Sequence, residues 1–283
     1  MNHKSLLTTL VILTLALLGT ACGAPASAQK AAGAKEPATR PAHVIEMSTA
    51  GLTVPEELPG GIVSLTFNNK TDAEHMPILA RFNEGVTVEQ FDTALAGDDP
   101  MAAFALVHWL GGTSLTPKTE HQMVYDLVAG QHVLIDFGEQ GPQTAYFKVT
   151  GDQSSQIAPK AAITAELKDF TVILPDKIKA GSQTWHIENS GNQWHEMQIV
   201  KLNEGITVQA AIDFMSQGPT PDGPPPFETV AFVAPLNQGE EVWTDFNLEP
   251  GEYTIICALP DLTGSEEHSH AHLGMVRQLT VTN

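Results

Sequence analysis

The feature that most constrains this 283-residue chain is that it contains a second version of itself. Displaced by 120 positions, about 40 residues align without a gap. Pro55 falls on Pro175, Gly61 on Gly181, Asn69 on Asn189 and His75 on His195. Asn83-Glu84-Gly85 falls on Asn203-Glu204-Gly205, and Thr87-Val88 on Thr207-Val208. Further on, Gly130 falls on Gly251 at a displacement of 121. Turn residues held in one register over this length are not a coincidence of composition. The chain therefore reads as two copies of one domain, at 43–150 and 160–283, joined by a polar connector at 151–159. Each copy is long enough to bury its own core.

Both copies read as β. In the second, Phe170 to Leu174, Thr184 to Glu188, Glu196 to Val200, Glu241 to Asp245, Tyr253 to Ile256 and Met275 to Val281 alternate or run apolar. Pro, Gly and Asn separate them, as in an antiparallel sandwich. One helix interrupts each copy, over Val88 to Leu95 and Val208 to Met215. Thr87 and Gln90 are spaced as a capping box at the start of the first. Pro219 to Pro226 reads as a loop belonging to the second copy alone.

Residues 1–22 read as a leader: Lys4, an apolar run from Leu6 to Leu18, then Leu18-Gly-Thr-Ala-Cys22. The run is short for a membrane span and fits a signal sequence. Its end resembles a bacterial lipobox, which implies lipidation of Cys22 and an exported protein anchored to the cell membrane. The alternative is ordinary cleavage downstream, after Ala28. Residues 23–42, rich in Ala, Pro, Gly and Lys, form a flexible tether with a mean reach of about 25 Å. The charge balance is acidic, 33 Asp and Glu against 14 Lys and Arg. That argues against nucleic acid, and against charge-driven binding to anionic lipid.

Cysteine usage points to the chemistry. There are two cysteines. If Cys22 carries lipid, Cys257 has no partner in its own chain, and an unpaired thiol in an exported protein calls for a reason. Metal ligation is one; a buried, inert thiol is the other. Cys257 ends the strand Pro250-Gly-Glu-Tyr-Thr-Ile-Ile-Cys257. His268, His270, His272 and Met275 follow within one short stretch. Upstream, His195 follows the turn Asn189-Ser-Gly-Asn-Gln-Trp. Two imidazoles, a thiolate and a thioether are the ligand set of a blue copper site. His195 shares strand parity with Met197 and Ile199, so it points with the apolar set. Cys257 shares a face with Tyr253 and Ile255 and is placed to meet His195 from the other sheet. His268 and His272 share parity with His270 and compete with it. The bland reading of this histidine run is a solvated loop with adventitious metal affinity. Met275 alone would suit a core. His186 has the parity of Thr184 and Glu188 and reads as solvent-facing.

The second copy resembles the cupredoxin family, the plastocyanin and azurin type of domain. The residues that carry the likeness are the Asn-rich turn before His195, the strand Pro-Gly-Glu-Tyr-Thr-x-x-Cys257, and the spacing His270-x4-Met275. It covers nearly all of 165–283 and, more weakly, 45–150. The resemblance implies two tandem Greek-key β-sandwiches and one copper per chain. His195, Cys257 and His270 would be its ligands, and Met275 a weak axial one. Two departures stand out. Cys257 and His270 are 13 residues apart, with Pro260 to Glu267 inserted. Glu196 stands where small cupredoxins have an asparagine that holds the cysteine sulfur.

The first copy keeps His75 but has Asp136 where Cys257 aligns, and no histidine or methionine from Gly138 to Ala145. It reads as a metal-free scaffold. His108, His121 and His132 read as ordinary surface or half-buried residues. The expectation is a membrane-tethered one-electron carrier, not an enzyme, working with a redox protein or oxidase. The alternatives are metal storage, delivery or sensing without electron traffic, and a structural module with no metal. Multicopper oxidases need further histidine clusters in both domains, including one beside the ligand cysteine, which Ile256 and Ala258 do not supply.

Overall fold

The computed structural model describes residues 42–97, 101–138, 141–217, 223–263 and 268–283. The leader, Cys22 and the tether lie outside these residues, as do parts of the Pro-rich loop and of the insertion before His268. No described helix is long and apolar enough to cross a membrane.

The first copy runs β1 (His43–Ser48), β2 (Gly51–Thr53), β3 (Glu57–Asn69), β4 (Pro77–Phe82), α1 (Val88–Leu95), α2 (Met101–Phe104), β5 (Val107–Gly112), β6 (Glu120–Leu127), β7 (Gly130–Gly138) and β8 (Gly141–Gln153). The second runs β9 (Ile163–Lys168), β10 (Thr171–Ile173), β11 (Lys177–Lys179), β12 (Gly181–Asn189), β13 (His195–Leu202), α3 (Val208–Met215), β14 (Phe227–Leu236), β15 (Glu241–Leu248), β16 (Gly251–Ile256) and β17 (Val276–Thr282). The fold is all-β: two tandem Greek-key sandwiches with short helical insertions. The first copy has one helix more than its sequence suggested, the single turn α2. Strand β8 continues to Gln153, into the stretch expected to be connector.

The repeat is visible in the pairing itself. Ile45 opposes Phe67 in the parallel pair β1–β3, and Ala165 opposes Ile187 in β9–β12. Val63 opposes Tyr125 in β3–β6, and Gln183 opposes Phe246 in β12–β15. Both copies carry a glycine at positive φ at the matching position, Gly61 within β3 at 75° and Gly181 at the start of β12 at 101°. A side chain there would be strained. The capping box forms as the spacing predicts: Gln90 N–H donates to Thr87 Oγ1, and Thr87 N–H to Gln90 Oε1. In α3 only the first half survives, because Ala210 replaces the glutamine.

The copies are joined edge to edge. Strand β6 pairs with β15, Trp243 opposite Val124, and β5 meets β14 at Leu110 and Leu236. One hydrophobic core runs through both copies. A second cluster lies under α3 and includes Val200, Ile212, Phe214, Phe227 and Ile256. At the junction Trp109 packs 6.2 Å from Trp194 and exchanges backbone and side-chain hydrogen bonds with Asn237. An apolar cavity of about 60 Å³ lies there between Met76, Phe104 and Phe137 of one copy and Trp194, Glu196 and Leu259 of the other.

Both faces of β13 are buried: Glu196 lies at the junction with the first copy, and Val200 lies under α3. His195 and Met197 are inside, but so are Glu196 and Gln198 at 3% and 4% exposure. Two readings of the remaining histidines change. His132 is fully buried rather than surface or half-buried, with its ring stacked on Phe147. His186 is not free in solvent: Nε2 is 2.5 Å from Glu241 and the ring lies flat on Trp243.

Candidate metal centre

Strand β13 opens on His195 and pairs with β16, Gln198 opposite Ile256, so β16 delivers Cys257 beside His195. The two residues therefore come from neighbouring strands of one sheet, not from opposite sheets as parity suggested. Beyond the insertion, Ser269 bridges back to Pro260. His270 N–H donates to the Leu259 carbonyl at 2.7 Å, and Met275 N–H to the His270 carbonyl at 2.9 Å. Cys257 N–H donates to the Met275 carbonyl at 3.2 Å. These bonds close the loop around the site.

His195, Cys257 and His270 converge, with one donor atom from each lying within 4.8 Å of the others. The two Nδ1 atoms are 3.0 Å apart, and Cys257 Sγ lies 4.0 Å from His195 Nδ1 and 3.4 Å from His270 Nδ1. Nitrogen and sulfur ligands at 2.0–2.3 Å from one ion stand roughly 3.3–3.8 Å apart in a trigonal arrangement. The observed separations bracket that range. All three side chains and Met275 are completely buried.

His268 and His272 do not take part. From His270 to Gly274 the chain is a turn rather than a strand. Parity does not apply there, and residues two apart point in different directions. Both flanking histidines are exposed and pack against each other at 6.1 Å.

What sequence reading missed is the set of groups that hold the ligands. Asp169, in the turn between β9 and β10, accepts His195 Nε2–H at 3.1 Å. It also accepts the Asn192 and Gln193 backbone N–H groups and the Asn192 side chain. Gln193 Oε1 accepts His270 Nε2–H at 3.3 Å and Leu262 N–H at 2.9 Å, while its Nε2 donates to Asp261. Gln193 thus ties the long insertion to the second imidazole. Each ring has its Nε2 engaged, which leaves Nδ1 of both facing the sulfur. Asn189 makes the turn that carries this apparatus, donating to the Gln193 and Leu236 carbonyls.

Glu196, which stands where small cupredoxins have an asparagine, ties the strand bearing His195 to the one that ends at Cys257. Its backbone N–H points at Cys257 Sγ, 3.5 Å away, and its Oε1 accepts Ala258 N–H at 3.1 Å.

The charges follow from burial. Desolvation pushes the Cys257 thiol far up, and the Glu196 carboxyl adds to the effect. Desolvation and the neighbouring His195 push His270 down to about 4. Desolvation also lowers His195, against the pull of Asp169. Burial opposes ionisation of Asp169, yet its hydrogen bonds from Asn192, His195 and Gln193 outweigh it and hold the carboxyl at about 2. Burial lifts Glu196 to about 7. Without a metal the site is therefore a neutral thiol facing two neutral imidazoles. With the thiol proton released, these three groups would be able to hold a soft cation.

The first copy has no such group. His75 Nδ1 is 2.5 Å from Asp136 Oδ2, and Met76 N–H donates to Asp136 Oδ1. The carboxylate occupies the thiol's position and pairs with the histidine directly. The other candidate cluster among the described residues, His186, Glu188 and Glu241, is already engaged in the His186–Glu241 pair.

No family model and no curated protein matches the chain. Solved structures do resemble it. Auracyanin B is 24% identical, with 45% of this chain and 94% of that one covered at a TM-score of 0.30. Auracyanin A, a "blue" copper protein of Chloroflexus aurantiacus, is 22% identical, covering 42% and 98% at 0.29. A multicopper oxidase of Campylobacter jejuni is 11% identical, covering 80% and 55% at 0.25. At such identities and scores the likeness leaves the assignment to the donor set itself. That set, a buried His–Cys–His group with a methionine in the same loop, fits a type 1 copper site.

Proposed function

We propose that the chain is an exported, membrane-anchored one-electron carrier with one mononuclear copper, which His195, Cys257 and His270 would hold together with Met275. The observation that carries this reading is the convergence of a thiol and two imidazole nitrogens in a fully buried, pre-tied site. When bound, copper would supply a Cu(II)/Cu(I) couple. The protein's part is to keep the ligands nearly still between the two states. β13 and β16 fix His195 and Cys257, and Gln193 pins the loop that bears His270. Burial excludes water and competing ligands. A carrier, rather than an oxidase, is supported by the first copy, where Asp136 fills the thiol position, and by the residues flanking Cys257. Export and anchoring rest on the leader and Cys22; the partner would be a redox protein or an oxidase.

The test is the visible and electron-spin-resonance spectrum of the metal-free full chain after one equivalent of Cu(II). The expected result is an intense thiolate-to-copper band that is absent in Cys257→Ala and in His270→Ala. A colourless complex indifferent to Cys257→Ala would refute the carrier and favour metal storage or delivery.

A further inference from the structure

The two copies differ at three aligned positions around the shared histidine. Asp169 aligns with Thr49, Phe170 with Ala50 and Gly191 with Thr71. In the first copy Thr71 Oγ1 itself meets His75 Nε2 at 2.8 Å. In the second copy the Asp169 carboxylate takes the equivalent place on His195. Gly191 is what makes room for it. A Cβ there would stand 2.5 Å from Asp169 Oδ1 and 2.7 Å from His195 Nε2.

The same turn reaches the other imidazole. The Phe170 ring packs edge-on to His270 at 5.3 Å. Phe170 does this with φ at 61°, a conformation costly for a bulky side chain; in the first copy's turn the positive φ falls on Gly51. Strain of this kind persists where the surroundings impose it, and it clusters at functional sites. One two-residue turn thus braces both imidazoles from outside, only in the copy that has the thiol.

We propose that the Asp169–Phe170 turn is a positioning clamp for the metal centre, and that the Asp169 carboxylate biases it toward the oxidised ion. The hydrogen bond fixes His195 as the Nε2–H tautomer with Nδ1 free to ligate. The negative charge behind the ring stabilises a doubly charged ion more than a singly charged one. This rests on the copper reading above.

The experiment compares the full chain with Asp169→Asn, Asp169→Ala and Gly191→Ala. Asp169→Asn keeps an acceptor and removes only the charge. It should weaken Cu(II) relative to Cu(I) about tenfold, a rise of about 59 mV in the one-electron potential. Gly191→Ala, which displaces the carboxylate, should move the potential the same way. In the metal-free chain, nitrogen NMR of the His195 ring should show the Nε2–H tautomer, giving way to a mixture in Asp169→Ala. Unchanged potentials in both Asp169→Asn and Gly191→Ala, or an Nδ1–H tautomer in the native chain, would overturn the clamp. A native chain with no thiolate band would sink the copper reading instead, and the tautomer measurement would still decide the clamp.

Discussion

Glu196→Gln separates a buried acid from the hydrogen bonds it makes. Glu196 is 3% exposed, between the ligand strand and the junction of the copies. Its Oε1 accepts from Ala258 N–H and from the Gln198 side chain, and a glutamine oxygen can accept both. The two side chains differ in titration. Desolvation raises the folded pKa from 4.5 to about 7, against the pull of those hydrogen bonds. Between these values the unfolded chain has released its proton while the folded chain still holds it. Folding then binds the proton, and stability falls as pH rises through the window. At about 1.4 kcal/mol per pH unit the loss is about 3 kcal/mol, complete above pH 7. Glutamine has no such loss. The assay is urea unfolding of the metal-free native and Glu196→Gln chains at pH 4 and pH 8. The variant's advantage should grow by about 3 kcal/mol between the two. Equal differences at both pH values would refute the assignment of a protonated, buried carboxyl.

His132 carries the opposite sign: burial pushes its pKa down to about 4, so stability falls as pH drops from 6.5 toward 4. In His132→Phe, measured by the same unfolding series, that acid loss should shrink by about 3 kcal/mol. Trp109→Ala removes a side chain that packs on Trp194 and Phe104 at the junction. It should cost about 3–5 kcal/mol and split a single unfolding transition into two by calorimetry. Asp136→Cys should give no second thiolate band on titration with Cu(II). It should also cost about 3 kcal/mol, because His75 and Met76 N–H lose their buried acceptor.

The repeat, the strand punctuation and the capping box were legible because they depend on local spacing. So was the meeting of His195, Cys257 and His270, which the turn before His195 and the strand ending at Cys257 singled out, although a thiol by itself reads equally as a buried core residue. Other features were not legible, because they depend on what lies across from a residue. Parity placed His195 inside but could not show that the other face of β13 is covered as well, by the first copy at Glu196 and by α3 at Val200. Parity also failed for His268 and His272, where the chain leaves the strand conformation. Asp169 lies 26 residues from His195 in sequence and meets it only because β9 runs parallel beside β12. One signal was available: Thr71 and Gly191 fill the same register position, and a glycine gained next to a ligand marks a close approach.

The seam between β6 and β15 has a consequence for how such a chain can be divided. Each of these strands would be a bare edge in an isolated copy, with unpaired backbone groups ready to recruit another strand. The first copy is the lid on that edge, and the second copy returns the service. A truncation after residue 153, or one starting at 160, would release half a protein that seeks a stranger's strand to replace its sibling's. The two copies can therefore be separated in sequence but not in the sheet they share.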